Sequence, residues 1–173
     1  MLANSAYLSR HNQVAKIIHS TLAQNSNLIQ STAPYYKYTP FPVLENQSAL
    51  LYWDRPVITD KTVDYNRPDI LLIDKNKRKS YITDIAVPLT ANVIRTEYTK
   101  AEKHQNLAIE IKNIWKLSEV CIIPVAVSVE GAVSVNLHYH LEKIKVPAHF
   151  IAVMQKAAIL QTCHIVRKFF AIG

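Results

Sequence analysis

At 173 residues, with 49% hydrophobic and 19% charged positions, the chain has the size and composition of one globular domain rather than a disordered or low-complexity segment. No apolar run approaches the roughly 20 residues of a membrane span, and the polar start from Asn4 to Gln13 lacks the apolar core of a secretory signal. The two cysteines, Cys121 and Cys163, stand far apart without a CxxC neighbour, which argues against a disulfide framework or cysteine zinc site and fits a reducing compartment. The formal net charge is +7, and no Asp or Glu occurs between Met1 and Leu44. Such a balance favours a polyanionic partner, most commonly nucleic acid.

Taken in chain order, Val14, Ile17, Ile18 and Leu22 recur at helical spacing and predict a first helix from about Ser9 to Gln24. Pro34, Pro40 and Pro42, with Tyr35, Tyr36, Tyr38 and Phe41 among them, predict an extended aromatic connector over 31–47. Leu50 to Trp53 reads as a short strand, and Asp54 to Asn66 as a further short strand with turns. Ile70 to Ile73 is a continuous apolar run, as a strand buried on both faces requires. A polar turn over 74–79 separates it from a second strand, Ser80 to Val87, which Pro88 ends. One long helix is expected from Asn92 to Trp115, then a β-branched strand from Val120 to Val129 containing Pro124. A turn at Glu130-Gly131, a return strand over Ala132 to Val135 and a long apolar helix from Ala148 to Phe170 complete the order. This order predicts an α/β domain, a mixed β-sheet flanked by helices on both faces.

The chemistry concentrates around two carboxylates. If the two central strands form a hairpin, Ile70 faces Thr83 and Asp69 faces Asp84, so the acids become cross-strand neighbours with Cβ atoms about 5 Å apart. A one-residue slip would separate them. Opposed like charges are unfavourable, and a divalent cation between them removes the objection, because Mg²⁺ takes one or two carboxylates plus waters and phosphate oxygens. On the following helix, the apolar stripe Leu107, Ile111 and Ile114, extended backwards, reaches His104, Lys103 and Lys100. Lysines on that side should meet carboxylate or phosphate. Either can orient an attacking water and stabilise charge on a transferring phosphoryl group. In the plainer reading, Asp69 and Asp84 are solvated edge acids, and Glu97, Lys100, Glu102 and Lys103 form ordinary surface pairs. His11, His19, His138, His140, His149 and His164 read as structural histidines, and Trp53 and Trp115 as core.

An ordered set of segments carries a family resemblance. Leu51-Tyr-Trp-Asp-Arg-Pro, Asn66-Arg-Pro-Asp-Ile, Ile82-Thr-Asp-Ile-Ala-Val-Pro and Lys100-Ala-Glu-Lys-His104 resemble the restriction-like endonuclease domain, of the PD-(D/E)xK superfamily, in R2-type and other insect non-LTR retrotransposons. The opening Arg10-His-Asn-Gln-Val-Ala-Lys-Ile-Ile-His19, the connector Pro34-Tyr-Tyr-Lys-Tyr and the ending from Gln155 to Lys168 are similar too, so the match spans nearly the whole chain.

The resemblance implies a restriction-endonuclease-like fold and Mg²⁺- or Mn²⁺-dependent nicking of target DNA to prime reverse transcription. It implies Asp69 and Asp84 as metal ligands. The usual lysine two residues after the second acid is replaced by Ala86, and its role moves to Lys100 and Lys103 on the helix, with His104 where tyrosine is expected. DNA contacts are expected from Arg67, Lys75, Lys77, Arg78, Lys79 and His104, with Glu45 a weak candidate for a third acid. The family places reverse transcriptase and a zinc knuckle upstream. The chain carries neither, so a fragment or degraded copy is expected, nuclear, with reverse transcriptase and element RNA as partners of the full-length protein. Two alternatives are a catalytically inactive DNA-binding remnant and a structure-selective resolvase of the same superfamily. Replacing Asp84 by Ala is expected to abolish cutting and leave folding nearly intact.

Overall fold

The computed structural model describes residues 2–171, with side chains from Asn4 onward. Five strands form one sheet in sequence order: β1 (Val43–Glu45), β2 (Ala49–Trp53), β3 (Ile70–Asp74), β4 (Lys79–Ala86) and β5 (Glu119–Ala126). The first four are antiparallel and β5 runs parallel to β4, so the sheet is mixed. Parallel pairing demands a crossover, and the helical segment between β4 and β5 supplies it. The polar residues 75–78 make the β3–β4 turn, with Arg78 in the left-handed region at φ 53°. Ile70 pairs with Thr83, the register expected of that hairpin. Pro124 lies within β5 and is tolerated because β5 is an edge strand.

Helices cover both faces. On one lie α1 (Leu2–Asn25), α4 (Asn136–Lys143) and α5 (His149–Ala171), with α1 packed along α5. Val14, Ile17, Ile18 and Leu22 of α1 meet Ile70 and Leu72 of β3 and Ile85 of β4 there. On the other face lie α2 (Val93–Lys103) and α3 (Gln105–Ile114), where Leu107 and Ile111 pack on Leu71, Ile73 and Ile82. The alternation of β3 residues between the two clusters is the two-residue strand period at work, and it explains why the run is apolar throughout.

Several expectations need correction. Helix α1 starts earlier than Ser9. Asp54 to Asn66 forms no strand; it is a loop closed at its base by Asp54 N–H donating to Asp69 O and Val57 N–H to Asn66 O. The single long helix is two, broken at His104, whose side chain is drawn into the interior. The return strand shrinks to one bridge, Val127 with Val133, and α4 follows unannounced. Glu97 is no surface partner of Lys100: it is buried and faces His140 of α4 at 3.0 Å. Both cysteines are free thiols. Among the described residues, no helix is long and apolar enough to cross a membrane.

Candidate active site

The register that sets Ile70 against Thr83 puts the next pair, Asp69 and Asp84, on one face of the hairpin at its open end. That face is the one covered by α2 and α3, because Leu71 and Ile82 share it. Asp69 stands just before β3, and its Oδ2 accepts the backbone N–H of Ile85 at 2.6 Å, so its carboxylate continues the ladder where backbone pairing stops. The two acids are close neighbours across the end of the hairpin. Like charges so close need a proton or a cation between or beside them.

Helix α2 supplies cations. Val93, Glu97, Lys100 and His104 follow one another at steps of three and four, and this stripe points inward. Lys100 Nζ lies 2.8 Å from Asp84 Oδ1, Lys103 Nζ 3.3 Å from Oδ2, and His104 Nε2 2.8 Å from Oδ2. Asp84 is only 2% exposed, while the two lysines keep 22% and 28% of their side chains in solvent. Burial alone would raise the Asp84 pKa, but the hydrogen bond from His104 and the charge and hydrogen bond of Lys100 outweigh it and hold the carboxyl well below the usual range. The two ring nitrogens of His104 face Asp84 Oδ2 at 2.8 Å and Tyr65 O at 3.1 Å. His104 thereby ties the loop over 54–66 to the carboxylate. The break between α2 and α3 coincides with this residue.

His11 of α1 joins the site from the opposite layer. Its Nε2 lies 3.1 Å from Asp69 Oδ2, and its Nδ1 3.1 Å from Asn12 Oδ1. Burial works against charge on this ring, yet the hydrogen bond and charge of Asp69 prevail and its pKa is raised. The sequence alone reads His11 as structural. Nothing local marks it, because its contact with Asp69 spans 58 positions.

A metal is compatible with this donor set in one form. Among the described residues, no cluster of three or more His, Cys, Asp or Glu could hold a metal ion. Mg²⁺ does not require such a cage: two adjacent carboxylates with water and phosphate complete its shell. Asp69 and Asp84 are such a pair.

No known family model matches the chain, and no curated protein resembles it significantly.

The remaining expected residues are distributed differently. Lys75, Lys77, Arg78 and Lys79 occupy the closed end of the β3–β4 hairpin, opposite the carboxylates. Each has an internal partner: Lys75 with Glu45 at 2.5 Å, Lys77 with Asp74 at 3.8 Å, Arg78 with Lys116 O at 3.1 Å, and Lys79 with Glu119 at 2.5 Å. Glu45 is therefore at the wrong end of the sheet to serve as a third acid. Arg67 forms a bidentate pair with Asp54, at 2.8 and 3.0 Å, and staples the base of the 54–66 loop. His104, expected to touch DNA, is fully buried and presents no surface to a partner. Its place is beside Asp84 instead.

Proposed function

We propose that this domain is a Mg²⁺- or Mn²⁺-dependent DNA endonuclease of the PD-(D/E)xK type, with a restriction-endonuclease-like fold. The observation that carries this reading is the convergence of Lys100 and Lys103, from the helix after β4, on Asp84, beside Asp69. Paired carboxylates with an adjacent lysine are the minimum that metal-assisted phosphodiester hydrolysis needs: ligands for a hard cation and a fixed positive charge near the phosphoryl group. Asp69 and Asp84 would hold the metal, which supplies an activated water and charge neutralisation when bound. Lys100 and Lys103 orient the attacking water and balance charge on the phosphate. His104 fixes the Asp84 carboxylate from behind.

On the resemblance to non-LTR retrotransposon endonucleases, this activity would serve target-site nicking for reverse transcription, in the nucleus, with reverse transcriptase and element RNA as partners of a longer protein. Nicking of supercoiled plasmid tests the reading. With Mg²⁺ or Mn²⁺ the chain should convert supercoiled to open-circular DNA, a chelator should stop it, and Asp84→Asn should reduce it at least about 100-fold. Nicking undiminished in that variant would refute the assignment. Asn is the better replacement, because it keeps an oxygen facing His104, whereas Ala would leave the buried ring without its partner, at a cost of about 1–3 kcal/mol. The expectation that Asp84→Ala folds nearly intact does not suit so enclosed a site.

One observation favours a second reading. Asp84 is already matched by three partners, a closed ion cluster that is self-sufficient without metal. A non-catalytic DNA-binding domain would retain it for stability. Salt-sensitive gel retardation of plasmid, with no nicking under any metal, would select that reading.

A further inference from the structure

Two depressions flank Lys103. One, of about 400 Å³, is lined by Arg95, Lys100 and Lys103 with Asn92 and Thr96, and has no acidic residue in its wall. The other, of about 390 Å³, is lined by Val63, Tyr65 and Asn106 and also by the acidic Asp64 and Glu102, so it suits a base rather than a phosphate. Thr99 and Lys103 line both, so the two depressions adjoin along α2. Their alignment follows from sequence: Arg95, Thr99 and Lys103 recur every four residues and make one stripe along α2. Above it stands Tyr65, with Lys103 Nζ 5.3 Å from its ring centroid and the residue still 54% exposed. Tyr65 is not a loosely hung aromatic. Its carbonyl is bound to His104, and the loop that carries it is stapled by Arg67 to Asp54.

We propose that this surface takes an unpaired nucleic-acid strand, with a base stacked on Tyr65 and an adjacent phosphate in the Arg95–Lys100–Lys103 depression. Cations that track a backbone, interleaved with an exposed aromatic face, are what recognition of a single strand requires. A duplex satisfies only half of this surface, since its base faces are hidden in the stack, while a phosphate can be held by the cations in either form. The proposal rests on the nuclease reading in that Lys100 and Lys103, which line this surface, also hold Asp84, so the preferred substrate would be DNA with an unpaired segment at the scissile position.

The test is equilibrium binding by fluorescence anisotropy in chelator, where no cutting can occur. A labelled oligothymidylate is compared with a blunt hairpin duplex of equal length. The single strand should bind more tightly. Tyr65→Ala should weaken strand binding about tenfold or more and leave hairpin binding within about twofold, and Tyr65→Phe should restore it. The ring is exposed, so truncation spares the core. Equal affinity for the two DNA forms, or a Tyr65→Ala effect that is absent or the same on both, would overturn the proposal. Because no metal is present, failure of plasmid nicking does not touch this result, and loss of the strand preference does not touch the nicking result.

Discussion

His19 shows how one buried polar residue can set the pH range of the whole domain. It is fully enclosed between α1, the aromatic connector and β2, with Nδ1 2.8 Å from Tyr38 Oη and its ring edge-on to Trp53 at 5.3 Å. Burial lowers its pKa from 6.5 to about 4 and raises that of Tyr38 to about 12. The unfolded chain therefore takes up a proton at His19 before the folded one does. Stability contributed by neutral His19 is complete above pH 6.5 and is lost as pH falls from 6.5 towards 4, by up to about 3 kcal/mol. Urea unfolding at pH 7 and pH 4.5 should show this decline, and His19→Leu should lose much of it. A variant whose stability falls as steeply as the parent's would show that other groups are responsible.

At the scale of elements, three helices end in the same way without glycine. Helices α1, α3 and α4 are each followed by a residue in the left-handed region, Asn27 at φ 53°, Lys116 at φ 51° and Lys145 at φ 56°. In each case the next residue is apolar and donates its N–H back five positions: Leu28 to Ala23 O, Leu117 to Lys112 O, Val146 to Leu141 O. This is the Schellman arrangement with its apolar contact, built in a chain that has only two glycines. A side chain there carries a penalty that glycine avoids. Lys145 is exposed, so Lys145→Gly should raise stability by about 1 kcal/mol, roughly 2–4 °C in Tm. An unchanged or lower Tm by calorimetry would mean that Lys145 makes compensating contacts.

Viewed whole, the molecule is electrically polar along its central hairpin. The closed end carries Lys75 to Lys79, each neutralised or capped by its own neighbour, and the open end carries the carboxylates with Arg95, Lys100 and Lys103 around them. Neither net charge nor pairing distinguishes these two basic regions, since Lys100 and Lys103 are bound to Asp84; what sets the open end apart is the depression these lysines share with Arg95, whose wall has no acidic residue. Lys103→Ala should reduce the slope of log affinity against log salt for a single strand by about 0.7, and Lys77→Ala should leave it unchanged. The opposite outcome would relocate the nucleic-acid face to the hairpin tip.

What the sequence by itself determined is what local periodicity and short range can encode. The apolar run from Ile70 to Ile73, the polar turn and the resumption at Ser80 made the hairpin legible; its register, assumed from the sequence, is the one the structure has, and it brings positions 69 and 84 together. The stripe of Leu107 and Ile111, carried back through one assumed helix, reached Lys100 and Lys103 beside the acids, although that helix breaks at His104. The tertiary structure alone decided the rest. His11 reaches Asp69 only because α1 crosses the end of the sheet. His104 becomes a buried brace and breaks a helix because a carboxylate lies beneath it. Glu97 turns inward because α4, a short helix with little signal of its own, presents His140. Lys75, Lys77 and Lys79 resemble a DNA patch in one dimension, but they find acids in three, because strands that meet at one end bring distant residues within bonding distance of each other.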